Sequence, residues 1–148
     1  MKTTILSTLL IIAFLIIVGL LSATPKEDLD QQIDSVTIND HRFSVEIAET
    51  ERARQRGLSG RQELPLDSGL LFIFPKPDYY PFWMKEMNFP IDIIWLDSDK
   101  KIVDITANLS PETYPESSRP QNPAQYVLEI NAGLSEKLNF KIGDQAQF

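Results

Sequence analysis

Cysteine is absent from the 148 residues, which excludes disulfides, thiolate metal sites, cysteine nucleophiles and a lipid-modified cysteine anchor. Histidine occurs once, at His41, so sites built from several histidines are excluded as well. Cationic side chains are scarce: fourteen Lys and Arg stand against twenty-one Asp and Glu, a formal net charge of −7. Binding a phosphate backbone needs cationic surface, so no nucleic-acid partner is expected. Also missing are a P-loop, a dinucleotide fingerprint, a Gly-x-Ser-x-Gly elbow and any repeat of about 20–50 residues. Asp97-Ser98-Asp99-Lys100 lacks the glycine and terminal glutamate of a calcium loop and reads as a hairpin turn. No catalytic residue, metal site or cofactor is therefore assigned.

What is present begins with an address. Lys2 precedes an apolar run that extends from residue 5 to residue 23, softened only by Ser7, Thr8, Gly19 and Ser22. As a helix the run would be about 28 Å long, against a bilayer core of about 30 Å. Residues 1–25 are therefore expected to be a membrane anchor or a signal. The length favours an uncleaved anchor, and Leu21-Ser22-Ala23 offers a cleavage site for the other outcome. Lys2 before the run and Lys26, Glu27, Asp28 and Asp30 after it are expected to put the rest of the chain outside the cytoplasmic membrane, or in the periplasm or medium if cleaved. Residues 26–33 read as a polar tether.

Residues 34–148 read as one mainly β domain, an antiparallel sandwich or partly closed barrel with one or two short helices. Residues 34–38 and 42–48 form a hairpin about Asn39-Asp40-His41. Thr50 caps a short helix through Arg56, and Gly57 stops it. Further strands are expected at 70–74 (ended by Pro75), 82–85, 91–96, 101–106, 125–130 and 142–148, with a helical turn at 133–138. Residues 108–124 carry four prolines and read as a long loop, functional or mobile in one reading and a disordered insertion in the other.

Three segments together carry a family resemblance: ERARQRGLSGR (51–61), GLLFIFPKPDYYPFWMKEMNFPIDIIWLD (69–97) and YVLEINAG (126–133). Over roughly residues 36–147 the chain resembles the DUF192, or UPF0127, family of bacterial and archaeal proteins. The resemblance implies a compact β-rich domain, often behind a signal or anchor, and no established activity. The chain departs from the family's usual pattern at Ser59, where Met is common, and at Glu86-Met87, where Asn-Thr is common. A ligand contact at that second position would differ here.

Four of the six arginines lie between residues 52 and 61. Arg52 and Arg56 share a helical face, and guanidinium forks match carboxylate, sulfate and phosphate geometry. They form an anion site or else pair buried carboxylates such as Asp92 and Glu129. Asp92 falls on a largely apolar strand face and needs a partner, for which Lys85 or an arginine is suited. Glu129 is expected at a rim. Trp83 and Lys85 alternate on one strand face, so Trp83 either stacks a sugar or peptide or belongs to the core. The expected ligand site is Arg54, Arg56, Arg61, Trp83, Lys85 and Asp92. The leading expectation is a non-catalytic envelope domain that binds an anionic small molecule, a saccharide or an envelope protein. One rival is a hydrolase of envelope carbohydrate or peptide that uses Asp92 and Glu129. The other is a structural interaction domain.

Overall fold

The computed structural model describes residues 33–148; the anchor or signal expected at 1–25 lies outside them, as does all but the end of the tether. No helix among the described residues is long and apolar enough to cross a membrane.

The domain is mainly β. Strands β1 (Ser35–Ile38) and β2 (His41–Ala48) form the expected hairpin, with Asn39 and Asp40 at φ 48° and 66°. Two consecutive left-handed residues suit the right-handed twist of the flanking strands. Helix α1 (Glu51–Arg56) follows, with Thr50 Oγ1 accepting a hydrogen bond from Ala53 N at 3.2 Å and Gly57 at φ 50° ending it. After β3 (Ser68–Asp78) come β4 (Phe82–Trp83), β5 (Ile91–Leu96), β6 (Ile102–Leu109), β7 (Ser117–Ser118) and β8 (Ala124–Asn131). Helix α2 (Leu134–Lys137) and β9 (Ala146–Gln147) complete the chain.

Seven strands make one sheet in the order β6-β5-β8-β3-β2-β1-β9, antiparallel except for β2 with β3. The sheet curls until its edges meet at one end. Lys101 bridges Gln145, Ile102 N donates to Asp144 O at 2.9 Å, and Gly143 N donates to Ile102 O at 2.8 Å. That joining gives the partly closed barrel, because an edge strand lowers its cost by finding a partner.

Side-chain alternation divides the core in two. Inside the curl lie Val36, Ile38, Phe43, Leu71, Ile94, Leu96, Leu128 and Ile130. On the opposite face Leu70, Phe72, Ile91, Ile93, Trp95 and Val127 are covered by Leu58, Leu64, Phe82 and Met84 from the connecting segments.

Several boundaries differ from the sequence expectation. Pro75 does not end β3: the strand runs on to Asp78, and its pairing with β8 is interrupted between Ile73 and Asp78, so both prolines sit where no ladder donor is needed. The strand expected at 82–85 is two residues long, and the final strand is confined to Ala146–Gln147. The 108–124 segment is ordered by pairing: β7 aligns with β4, Gln121 N donates to Asp104 Oδ2 at 2.9 Å, and Arg119 Nη1 donates to Tyr79 O at 2.7 Å. A disordered insertion is therefore not what this segment is. Trp83 is 54% exposed and Phe82 takes the core position instead.

Candidate functional site

The sheet register brings Glu46 (β2), Leu70 (β3), Glu129 (β8) and Ile93 (β5) into one row across four adjacent strands. Residues directly opposite each other point to the same face, so both glutamates lie on the face that α1 and the 57–64 segment cover. Their Cα atoms are two strand spacings apart, about 10 Å.

The covering segment is fixed by its own hydrogen bonds. Ser59 Oγ donates to Lys85 O at 2.8 Å, Gly60 N donates to Glu86 O at 2.8 Å, and Asn88 Nδ2 donates to Arg61 O at 2.7 Å. Arg61 is thereby held over Glu46 and meets it with both fork nitrogens, at 2.5 and 2.8 Å. That bond, aided by the charges of Arg61 and Arg56 and opposed by burial, holds the Glu46 carboxyl below its ordinary range. The same bond raises Arg61 further.

Glu129 has the opposite fate. It is 6% exposed, and its Oε2 is buried without a hydrogen-bond partner among the described residues. Burial pushes its pKa up to about 8, and the Arg61 charge offsets this only in part. The rim position expected for it is thus corrected: Glu129 is buried, and burial favours its neutral form.

Two cavities adjoin this row. The larger, about 590 Å³, is lined by Glu46, Thr50, Arg52, Arg56, Gly57 and Arg61, with Ala48 and Leu70 among its apolar residues. Its size lies within the range of small-molecule sites. The smaller, about 50 Å³, is lined by Gln55, Arg56, Ser59, Trp83, Met87 and Glu129, together with Gly57 and other neighbours. Arg56 and Gly57 line both. Ser59 and Met87, where the chain departs from the family's usual pattern, both line the smaller cavity.

The arginines divide into two roles. Arg54 is a scaffold residue: its Nη1 donates to Glu49 O and, at 3.0 Å, to Ile73 O, and its guanidinium lies 5.2 Å from the Phe74 ring centroid. Arg61 is committed to Glu46. Arg52 and Arg56, one turn apart on α1, line the large cavity, and neither has an ion-pair partner among the described residues. Arg52 was outside the expected site, although the shared helical face was visible in the spacing.

Asp92 lies elsewhere. Its side chain is fully buried on the inner face, and its partners are not cations. Oδ1 accepts from Asn108 N at 2.7 Å and Gly133 N at 3.0 Å, and Oδ2 accepts from Ser135 N at 2.8 Å and Ser135 Oγ at 2.6 Å. These bonds hold α2 and the β6 end against β5. Ile93 is the residue opposite Glu129, so Asp92 points from the other face and the two carboxylates line no common cleft. The Lys85 side chain is exposed and does not line either cavity, although its carbonyl anchors Ser59.

Known proteins resemble the chain over this domain. A UPF0127 protein of Pyrococcus furiosus is 31% identical over 84 residues, covering 53% of this chain and 66% of that one. This chain therefore spans just under two thirds of that relative's length. A UPF0127 protein of Pyrococcus abyssi is 31% identical over 109 residues, covering 70% of this chain and 85% of that one. The crystal structure of a protein of unknown function from Novosphingobium aromaticivorans superposes with a TM-score of 0.72 at 35% identity, covering 77% of this chain and 84% of that one. The family model DUF192, described as "Uncharacterized ACR", matches residues 34–148. With the family model spanning the whole described sheet and its covering segments, the chain belongs to the DUF192 (UPF0127) family.

Proposed function

We propose that the domain is a non-catalytic binding module of the cell envelope, held outside the cytoplasmic membrane, and that it takes an anionic small molecule in the cleft beside α1. The observation that carries this reading is the pair Arg52 and Arg56. Both line a cleft of about 590 Å³ and neither forms an ion pair with a carboxylate among the described residues, in a chain of net charge −7. An unpaired guanidinium presents a planar fork for a carboxylate or phosphate. Glu46, the cleft's one carboxylate among the described residues, is already taken by Arg61. The membrane placement rests on the apolar run from residue 5 to residue 23 and the charges around it.

A thermal-shift screen of the full chain in a nonionic polyoxyethylene detergent tests this. The panel holds inorganic phosphate, phosphorylated metabolites, acidic and neutral oligosaccharides, peptides and lipid head groups. A ligand that binds only the folded state raises stability by RT ln(1 + [L]/Kd). An anionic ligand is expected to raise Tm, and the rise is expected to vanish in Arg52→Ala/Arg56→Ala. A rise that survives this double substitution, or no rise with any anion, overturns the reading; in the latter case an envelope protein becomes the partner to seek.

A further inference from the structure

We propose that the cleft's ligand is an anionic saccharide: Arg52 and Arg56 hold its phosphate or carboxylate, its ring lies against Trp83, and a hydroxyl enters the small cavity onto Glu129. The proposal rests on the anion-binding reading and specifies its ligand.

The smaller cavity has the chemistry of a hydroxyl site. At about 50 Å³ it exceeds the roughly 10–15 Å³ of accessible space that one water needs, yet it is far too small for a sugar ring. It therefore admits a hydroxyl or hydroxymethyl group and leaves the ring outside. Glu129 lines this cavity, and its Oε2 is buried with no hydrogen-bond partner among the described residues, a costly state for a polar atom. Burial favours the neutral acid, which offers an O–H donor and a carbonyl acceptor on one group. A hydroxyl is the partner that can both accept and donate there. A second carboxylate would meet only one donor, and an ammonium would meet an uncharged acid. Ser59 and Gln55 add further polar groups, and Arg56 adds a cation.

Trp83 supplies the apolar side. It lines the same cavity and is 54% exposed, unlike the buried aromatics around it. An exposed indole beside hydroxyl-matching groups suits the C–H face of a pyranose ring. Arg56 and Gly57 line both cavities, so an anionic substituent on the ring reaches the arginines without a second site.

The test compares inorganic phosphate, glucose 6-phosphate, glucuronate and glucose by isothermal titration calorimetry at pH 6.5. It uses the full chain in a polyoxyethylene detergent, which carries no sugar head group. Glucose 6-phosphate or glucuronate is expected to bind at least tenfold tighter than phosphate, and the better of the two identifies the anionic group. Trp83→Ala and Glu129→Leu are each expected to bring the ratio of sugar to phosphate affinity to within about threefold of one. Glu129→Gln is expected to keep most of the ratio, because an amide also donates and accepts. Trp83 is exposed, so Trp83→Ala tests the idea even where Glu129→Leu fails to fold. If phosphate binds but neither anionic sugar binds more tightly, the saccharide proposal is overturned and the anion cleft stands. The same holds if the ratio survives in Trp83→Ala. If nothing binds, phosphate included, the anion reading itself fails and takes this proposal with it.

Discussion

Burying Glu129 ties the stability of the domain to pH, and the sign follows from where its proton sits. In the unfolded chain the carboxyl ionises near 4.5; in the folded domain burial holds the proton until about pH 8. Between those values the folded state binds more protons than the unfolded one, so stability falls as pH rises. The contribution is fully present below pH 4.5 and is lost as pH passes 8. The total change is about 5 kcal/mol, of which roughly 3 kcal/mol is gone by pH 7. Glu46 acts in the opposite direction and in a different window. Its carboxyl is held low by Arg61, so its contribution is present above its unfolded pKa near 4.5 and fades only in more acidic solution. Glu129→Gln removes the titration and nearly preserves the shape. Urea unfolding of both proteins between pH 5 and 7.5 gives the difference in unfolding free energy, in which the other titrating groups cancel. That difference is expected to move against the wild type by roughly 3 kcal/mol across the interval. A change below about 0.5 kcal/mol would mean that Glu129 is ionised and compensated in the folded state, and the account of its burial would be refuted.

Three further perturbations follow from individual contacts. Asp92→Ala leaves the N–H groups of Asn108, Gly133 and Ser135 without their acceptor, and is expected to lower stability by about 3 kcal/mol or more in urea unfolding; a loss under 1 kcal/mol would contradict the bracing role. Gly69→Ala places a Cβ 2.9 Å from both Glu129 O and Leu128 Cδ1, so β3 must shift against β8, at a cost of about 1–3 kcal/mol by the same assay. Arg61→Ala removes the cation that partly offsets the burial of Glu129, so the Glu129 carboxyl is expected to titrate at higher pH than in the wild type, as followed by carboxyl carbon NMR; an unchanged midpoint would show that Arg61 does not act on Glu129.

Local signals in the chain specify the elements whose causes are local. Asn39-Asp40 between two β-branched runs carries the hairpin, and Thr50 with Gly57 carries both ends of α1, because each depends on backbone geometry within a few residues. The order of the sheet has no such local signature. Strand β8 inserts between β3 and β5 although more than twenty-five residues separate it from either. That insertion decides the site. Within β5 the alternation already places Asp92 opposite in direction to Ile91 and Ile93, and within β8 it sets Glu129 with Val127. Which of those faces coincide depends on the register between the strands. A register with Asp92 opposite Glu129 would have made the two carboxylates neighbours. The observed pairing of Ile93 with Glu129 turns them to opposite faces, where one fastens α2 and the other lies buried behind Trp83 and Arg56. The arginines follow the same logic. Four in ten residues mark a cationic segment, but only the fold distinguishes Arg54 and Arg61, bound to Ile73 O and to Glu46, from Arg52 and Arg56, which face the cleft. A search for function by mutation should therefore begin with Arg52, Arg56, Trp83 and Glu129. Substitutions at Asp92 and Arg54 lower binding simply by unfolding the domain.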